Sequence, residues 1–184
     1  MEELTGTGFR RSVKTTVPRS EREAVPETRS VDDGETPADP RPDVLVVEDD
    51  EDELRIIDRA IRRHGMESRF KIVRSGEDAL SYLRPSAGSE ERGEAPRPKV
   101  VLLDLKLGGI GGQEVLRRVR ADDRLCTLPI VVVSSSRDEN VVSDCYRLGA
   151  NSFVPKQPGL EYPGDRVVEI ARYWLELNRT VPAP

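Results

Sequence analysis

Histidine and cysteine are almost missing from this chain, with one His and two Cys among 184 residues. Cys126 and Cys145 lack the close pairing of a zinc site, so ligation of a metal by nitrogen and sulfur is excluded as an organising feature. Two widely spaced cysteines instead fit the free thiols of a reducing compartment, and both are expected to fill the core. His64 lies beside Arg62, Arg63 and Gly65 near the expected end of a helix, where positive charge complements the dipole; this is a capping position, not a catalytic one. Aromatic residues are scarce too, at 4%, and the formal net charge is -5. The basic cluster Arg117, Arg118 and Arg120 has no interleaved aromatics and sits among acids, so it is expected to be a solvated helix face and nucleic acid is not an expected partner. No run of eighteen apolar residues occurs, and the opening Met1-Glu2-Glu3 has neither the basic flank nor the apolar segment of a signal, so the expectation is a cytoplasmic chain without a membrane partner.

The organised part begins after a polar tail. Residues 1–42 are rich in Glu, Arg, Thr, Pro and Ser with Phe9 as their only aromatic, too little apolar area to offset ordering entropy, and are expected to be disordered. From Asp43 onward, apolar runs alternate with helical periodicity. Val44 to Val47, Val100 to Leu103 and Ile130 to Val133 are unbroken apolar runs, too short for helices, that read as strands buried on both faces. Phe70 to Val73, interrupted by Lys71, and Ser152 to Val154 read as weaker edge strands. Helical spacing is carried by Leu54, Ile57 and Ile61, by Ala79, Leu80 and Leu83, by Val115, Leu116 and Val119, and by Val141, Val142, Cys145 and Leu148. A last helix is predicted from about Asp165 to Leu177. Ser75 with Asp78 and Ser136 with Glu139 have capping-box spacing, and Pro85 to Pro98 is a long loop. Five strands alternating with five helices predict an α/β fold: a doubly wound, five-stranded parallel sheet of flavodoxin-like order 2-1-3-4-5, helices on both faces, spanning residues 43–178 with a short tail at 179–184.

In that order the carboxyl edge of the sheet collects Glu48 and Asp49 after the first strand, Asp104 after the third, Ser134 at the end of the fourth and Lys156 after the fifth, where open α/β sheets bind ligands. Carboxylates about 5 Å apart repel by roughly 3 kcal/mol per pair at an effective dielectric near 20. A divalent cation removes that cost. All-oxygen ligation selects a hard ion, and Mg²⁺ takes one or two carboxylates plus a phosphoryl oxygen while keeping several waters.

These residues resemble the response regulator receiver family, over about Asp43 to Leu177. VLVVEDD resembles its first strand with the acidic pair, here Glu48 and Asp49; LLDLKL resembles the strand bearing the phosphoacceptor, here Asp104. PIVVVSSS supplies the hydroxyl residue Ser134, with small Ser135 leaving room beside it, and GANSFVPK supplies the aromatic switch residue Phe153 and the lysine Lys156. The resemblance implies transfer of a phosphoryl group from the phosphohistidine of a sensor histidine kinase to Asp104, with Mg²⁺ held by Glu48, Asp49, Asp104 and the backbone carbonyl of Lys106. It implies a signalling domain, not an enzyme, whose switched surface acts through a downstream protein. Gly108, Gly111 and Gln157 depart from the family pattern of proline, acid and proline, which predicts looser loops. Within the family, APRPKVVLLDLKL, GANSFVPK and RYWLELNRTVP are most similar to the single-domain regulators of cyanobacterial and bacterial phytochromes, so the implied kinase is a bacteriophytochrome.

Two other functions use the same residues. A receiver that has lost phosphorylation would serve as a docking scaffold, and a phosphatase of the haloacid-dehalogenase type also uses a strand-end aspartate but needs a second acid two residues on, where Lys106 stands. The last helix adds one more expectation. Stepped as an α-helix, Tyr173, Leu177, Ile170, Trp174, Val167, Ala171, Leu175 and Val168 fill an arc of roughly 220°, about twice a core-facing stripe, so the strip near Trp174 and Leu175 is expected to form a homodimer interface.

Overall fold

A computed structural model describes residues 42–84, 97–156 and 163–179. The expected tail at 1–42, apart from Pro42, lies outside them, as do most of the long loop, Gln157 and residues 180–184. The chain runs β1 (Val44–Val47), α1 (Glu51–Arg63), β2 (Phe70–Val73), α2 (Gly76–Leu83), β3 (Val100–Leu103), α3 (Gly112–Arg120), β4 (Ile130–Ser134), α4 (Glu139–Arg147), β5 (Ser152–Pro155) and α5 (Pro163–Arg172). All four strand pairings are parallel and the order is β2-β1-β3-β4-β5, as the apolar runs predict. The continuous runs VLVV and VVLL sit inside the sheet and are buried along their whole length, while the interrupted FKIV occupies an edge and leaves Lys71 exposed.

Strand alternation divides the core in two. Leu45, Val47, Val101, Leu103, Ile130 and Val132 face α2, α3 and α4 through Ala79, Leu80, Val115, Leu116, Val119 and Cys145. Val44, Val46, Val100, Leu102 and Val131 face α1 and α5 through Ile57, Ile61, Val167, Val168 and Ala171. A buried Leu of this kind is worth about 1.5–3 kcal/mol. Near the other end of the sheet, Asp43 accepts hydrogen bonds from Arg69 (2.7 Å) and pairs with Lys99 (3.0 Å). Burial alone would raise the Asp43 carboxyl, but those two cations hold it below its usual value.

Several local expectations are corrected. Ser75 does cap α2 through the Asp78 amide, at 3.0 Å, but α4 is capped by Asp138, which accepts from the Asn140 amide, while Ser136 accepts from Asp138 itself. Aspartate two residues later outcompetes the serine because its carboxylate carries charge against the positive end of the helix. Cys145 is buried, but Cys126 is exposed in the turn after α3, its Sγ 3.1 Å from the Asp123 carbonyl oxygen. Arg117 and Arg118 pair with Glu114 on the surface, whereas Arg120 folds inward and donates to the carbonyls of Gly149 and Leu128 and to Asn151 Oδ1, each at 2.9 Å. His64 follows α1 as its C-cap and lies with Nε2 3.1 Å from Asp165 Oδ1 on α5.

The last helix ends differently from its α-helical expectation. Beyond Arg172 it widens into a π-helical turn, Tyr173–Leu177, so the 100° step no longer applies there. Trp174 and Leu175 become half-buried against the α1/α5 cluster, and the exposure falls on Tyr173 (51%) and Leu177 (77%).

Candidate functional site

Register assembles the site. In β1 and β3, Val47 pairs with Leu103, so the next residues, Glu48 and Asp104, leave the sheet side by side. The Asp104 amide donates to the Val47 carbonyl at 3.0 Å and the Glu48 amide to the Val73 carbonyl at 3.1 Å. In β4 and β5, Ser134 pairs with Pro155, and the Lys156 amide donates to the Ser134 carbonyl at 2.8 Å. Both carboxylates are buried, Glu48 with 3% and Asp104 with 6% exposure. α3 packs tightly behind them: a Cβ on Gly112 would lie 2.1 Å from the Asp104 carbonyl oxygen, so only glycine lets this helix start there.

Lys156 reaches across the site. Its Nζ lies 2.8 Å from Glu48 Oε2, 2.5 Å from Glu53 Oε2 and 3.1 Å from Asp104 Oδ2. Burial pushes the Glu48 carboxyl up to about 7, with the Asp104 charge adding to the rise against the hydrogen bond from Lys156. Burial by itself would lower Lys156, but hydrogen bonds to Glu48 and Glu53 and the field of Asp104 hold its ammonium well above the usual lysine range. The ammonium therefore stays charged at any physiological pH.

Asp49, the most solvent-facing of the acidic cluster, contributes the third carboxylate: oxygens of Glu48, Asp49 and Asp104 lie within 4.8 Å of one another. Three carboxylates at this spacing, without His or Cys, are the donor set of a hard divalent cation, and the residues fit one. Lys106 stands on the exposed loop two residues beyond Asp104. That loop is braced where looseness was expected. The Gly108 amide donates to Asp49 Oδ2 at 2.8 Å and the Ile110 amide to Glu77 Oε1 at 3.0 Å, across a left-handed Gly109 (φ 73°). The first of these bonds requires an N–H that proline lacks.

Ser134 is fully buried, and its hydroxyl accepts from the Ser136 amide at 3.2 Å. Ser135 is exposed and shares the wall of a cavity of about 490 Å³ with Glu48, Asp104 and Lys156. Phe153 is half-buried on the α2/α4 side, its amide 3.2 Å from the Tyr146 hydroxyl. Two contacts carry no sequence signature: Glu53 with Lys156 and Tyr146 with the Phe153 amide.

Comparison with known proteins supplies the rest. The model of the response regulator receiver domain matches residues 44–161. The chain is 36% identical over 141 residues to the probable methanogenesis regulatory protein FilR2 of Methanothrix harundinacea, covering 77% of this chain and 88% of the relative. The phosphorylated cyanobacterial phytochrome response regulator RcpA superposes with a TM-score of 0.67 at 30% identity, covering 77% of this chain and 99% of that one. The Mn²⁺-bound form of response regulator Rcp1 does so with a TM-score of 0.64 at 29% identity, covering 77% and 100%. Among the described residues no helix is long and apolar enough to cross a membrane.

Proposed function

This chain belongs to the response regulator receiver domain family, and on that premise we propose that Asp104 is its phosphoacceptor. The reading rests on one observation above all: a half-buried lysine, Lys156, joined to two buried strand-end carboxylates, Glu48 and Asp104. An oxygen of Asp104 attacks phosphorus, and the bond from phosphorus to the imidazole nitrogen of a kinase phosphohistidine breaks. Its electron pair returns to the ring and an acyl phosphate remains on Asp104. Lys156 neutralises charge gathering on the phosphoryl oxygens, an electrostatic and positioning task. Glu48, Asp49, Asp104 and the Lys106 carbonyl would hold Mg²⁺, which would supply further positive charge there. Ser134 then moves to donate its O–H to a phosphoryl oxygen, and Phe153 turns inward, so that one modification biases two packings of a surface read by a downstream protein. Lys106 stands where a dehalogenase-type phosphatase needs its second acid, so that chemistry is not proposed.

The partner is a sensor histidine kinase in the cytoplasm, and likeness to RcpA, a phytochrome response regulator, favours a bacteriophytochrome. Incubation with purified phosphorylated kinases should move label onto this chain in an alkali-labile linkage, as an acyl phosphate requires. Label that survives alkali, or that is held as acid-labile phosphohistidine at His64, contradicts the assignment.

The π-helical turn after α5 is also proposed to mediate a homodimer around Trp174 and Leu175, on the strength of the apolar surface that Tyr173 and Leu177 expose beside them. Sedimentation should show a dimer for the intact chain and a monomer for Trp174→Glu; an intact chain that stays monomeric at every concentration overturns it.

A further inference from the structure

An ammonium has three N–H donors, and in this structure Lys156 has three carboxylate partners. Glu48 (2.8 Å) and Asp104 (3.1 Å) are buried and reach it from the ends of β1 and β3. Glu53 (2.5 Å) reaches it from the first turn of α1, and its side chain is 40% exposed. A phosphoryl oxygen approaching the ammonium meets all three of these carboxylates, so one of them must give way. Glu48 is buried and belongs to the carboxylate cluster fit for the cation, and Asp104 is the reacting group itself. Glu53 is the partner that water can solvate at once, so its release costs least.

We propose that Glu53 is a positioning residue that holds Lys156 in the resting site and yields it to the phosphoryl group, setting how readily that group is captured. This rests on the phosphoacceptor reading of Asp104 and adds to it a competitor for the lysine. Loss of the Glu53 charge should loosen the hold on Lys156 and favour the modified state. The same loss elsewhere on that turn should not, because Asp52 is paired with Arg55 (2.8 Å) and not with Lys156.

The test is calorimetric titration of the full chain, saturated with Mg²⁺, with beryllofluoride, which adds to a carboxylate as a phosphoryl analogue. Glu53→Gln keeps the shape of the side chain and should lower the beryllofluoride Kd roughly twofold to fivefold, the scale of one partly exposed ion pair. Asp52→Asn should leave it unchanged. Mg²⁺ titration without beryllofluoride should give the two variants the same affinity, which separates release of the lysine from a change in general field. An unchanged Kd in Glu53→Gln, or equal tightening in both variants, overturns the role of Glu53. Failure of the unsubstituted chain to bind beryllofluoride overturns instead the phosphoacceptor reading beneath it.

Discussion

Millimolar Mg²⁺ is expected to raise the melting temperature of the intact chain, and Asp49→Ala is expected to abolish that rise. Glu48, Asp49 and Asp104 bring carboxylate oxygens within 4.8 Å of one another, and Lys156 is the cation that reaches two of them. Repulsion of roughly 3 kcal/mol per pair at an effective dielectric near 20 is thus only partly offset in the metal-free fold. Unfolding scatters the three groups, so a cation that needs all of them binds the folded state alone and stabilises it by mass action. At ten times its Kd the gain is about 1.4 kcal/mol, a shift of roughly 4 °C for a domain of this size. Asp49 is the carboxylate to remove because it is the least buried of the three and leaves no core cavity. Its loss also frees the Gly108 amide, so the metal-free melting temperature will move a little; the response to Mg²⁺ is the quantity that decides. A full response in Asp49→Ala would place the cation elsewhere.

The parts of this molecule that were legible in the sequence are those set by local composition. VLVV, VVLL and IVVV could lie only inside the sheet, FKIV only at its edge, and the polar residue ending each run fell at the carboxyl edge because a strand buried on both faces stops where a polar group must meet water or a partner. That was enough to gather Glu48, Asp49, Asp104, Ser134 and Lys156. Contacts decided by competition between side chains were not legible. Asp138 took the cap that Ser136 also offered, and Arg120, alike in sequence to Arg117 and Arg118, turned inward because the Gly149 and Leu128 carbonyls lay within reach. The π-helical turn at Tyr173–Leu177 reseats Trp174 against the core through a change of helical step that no periodicity fixed at 100° could contain. Glu53 was hidden for another reason: its partner lies more than a hundred residues away, and the acids around it have equal claim on a helix N-terminus until the fold selects one.

The central claim is that Asp104 is the nucleophile, and intact-protein mass spectrometry tests it most directly. Asp104→Asn keeps the shape of the side chain and an oxygen able to accept the Leu105 amide, which lies 2.7 Å from Asp104 Oδ1, but it loses the charged oxygen that attacks phosphorus. With Mg²⁺ and acetyl phosphate as a small phosphodonor, the intact chain should gain the mass of one phosphoryl group and Asp104→Asn should gain none. Equal phosphorylation of the two proteins would contradict the assignment and move the site elsewhere in the chain.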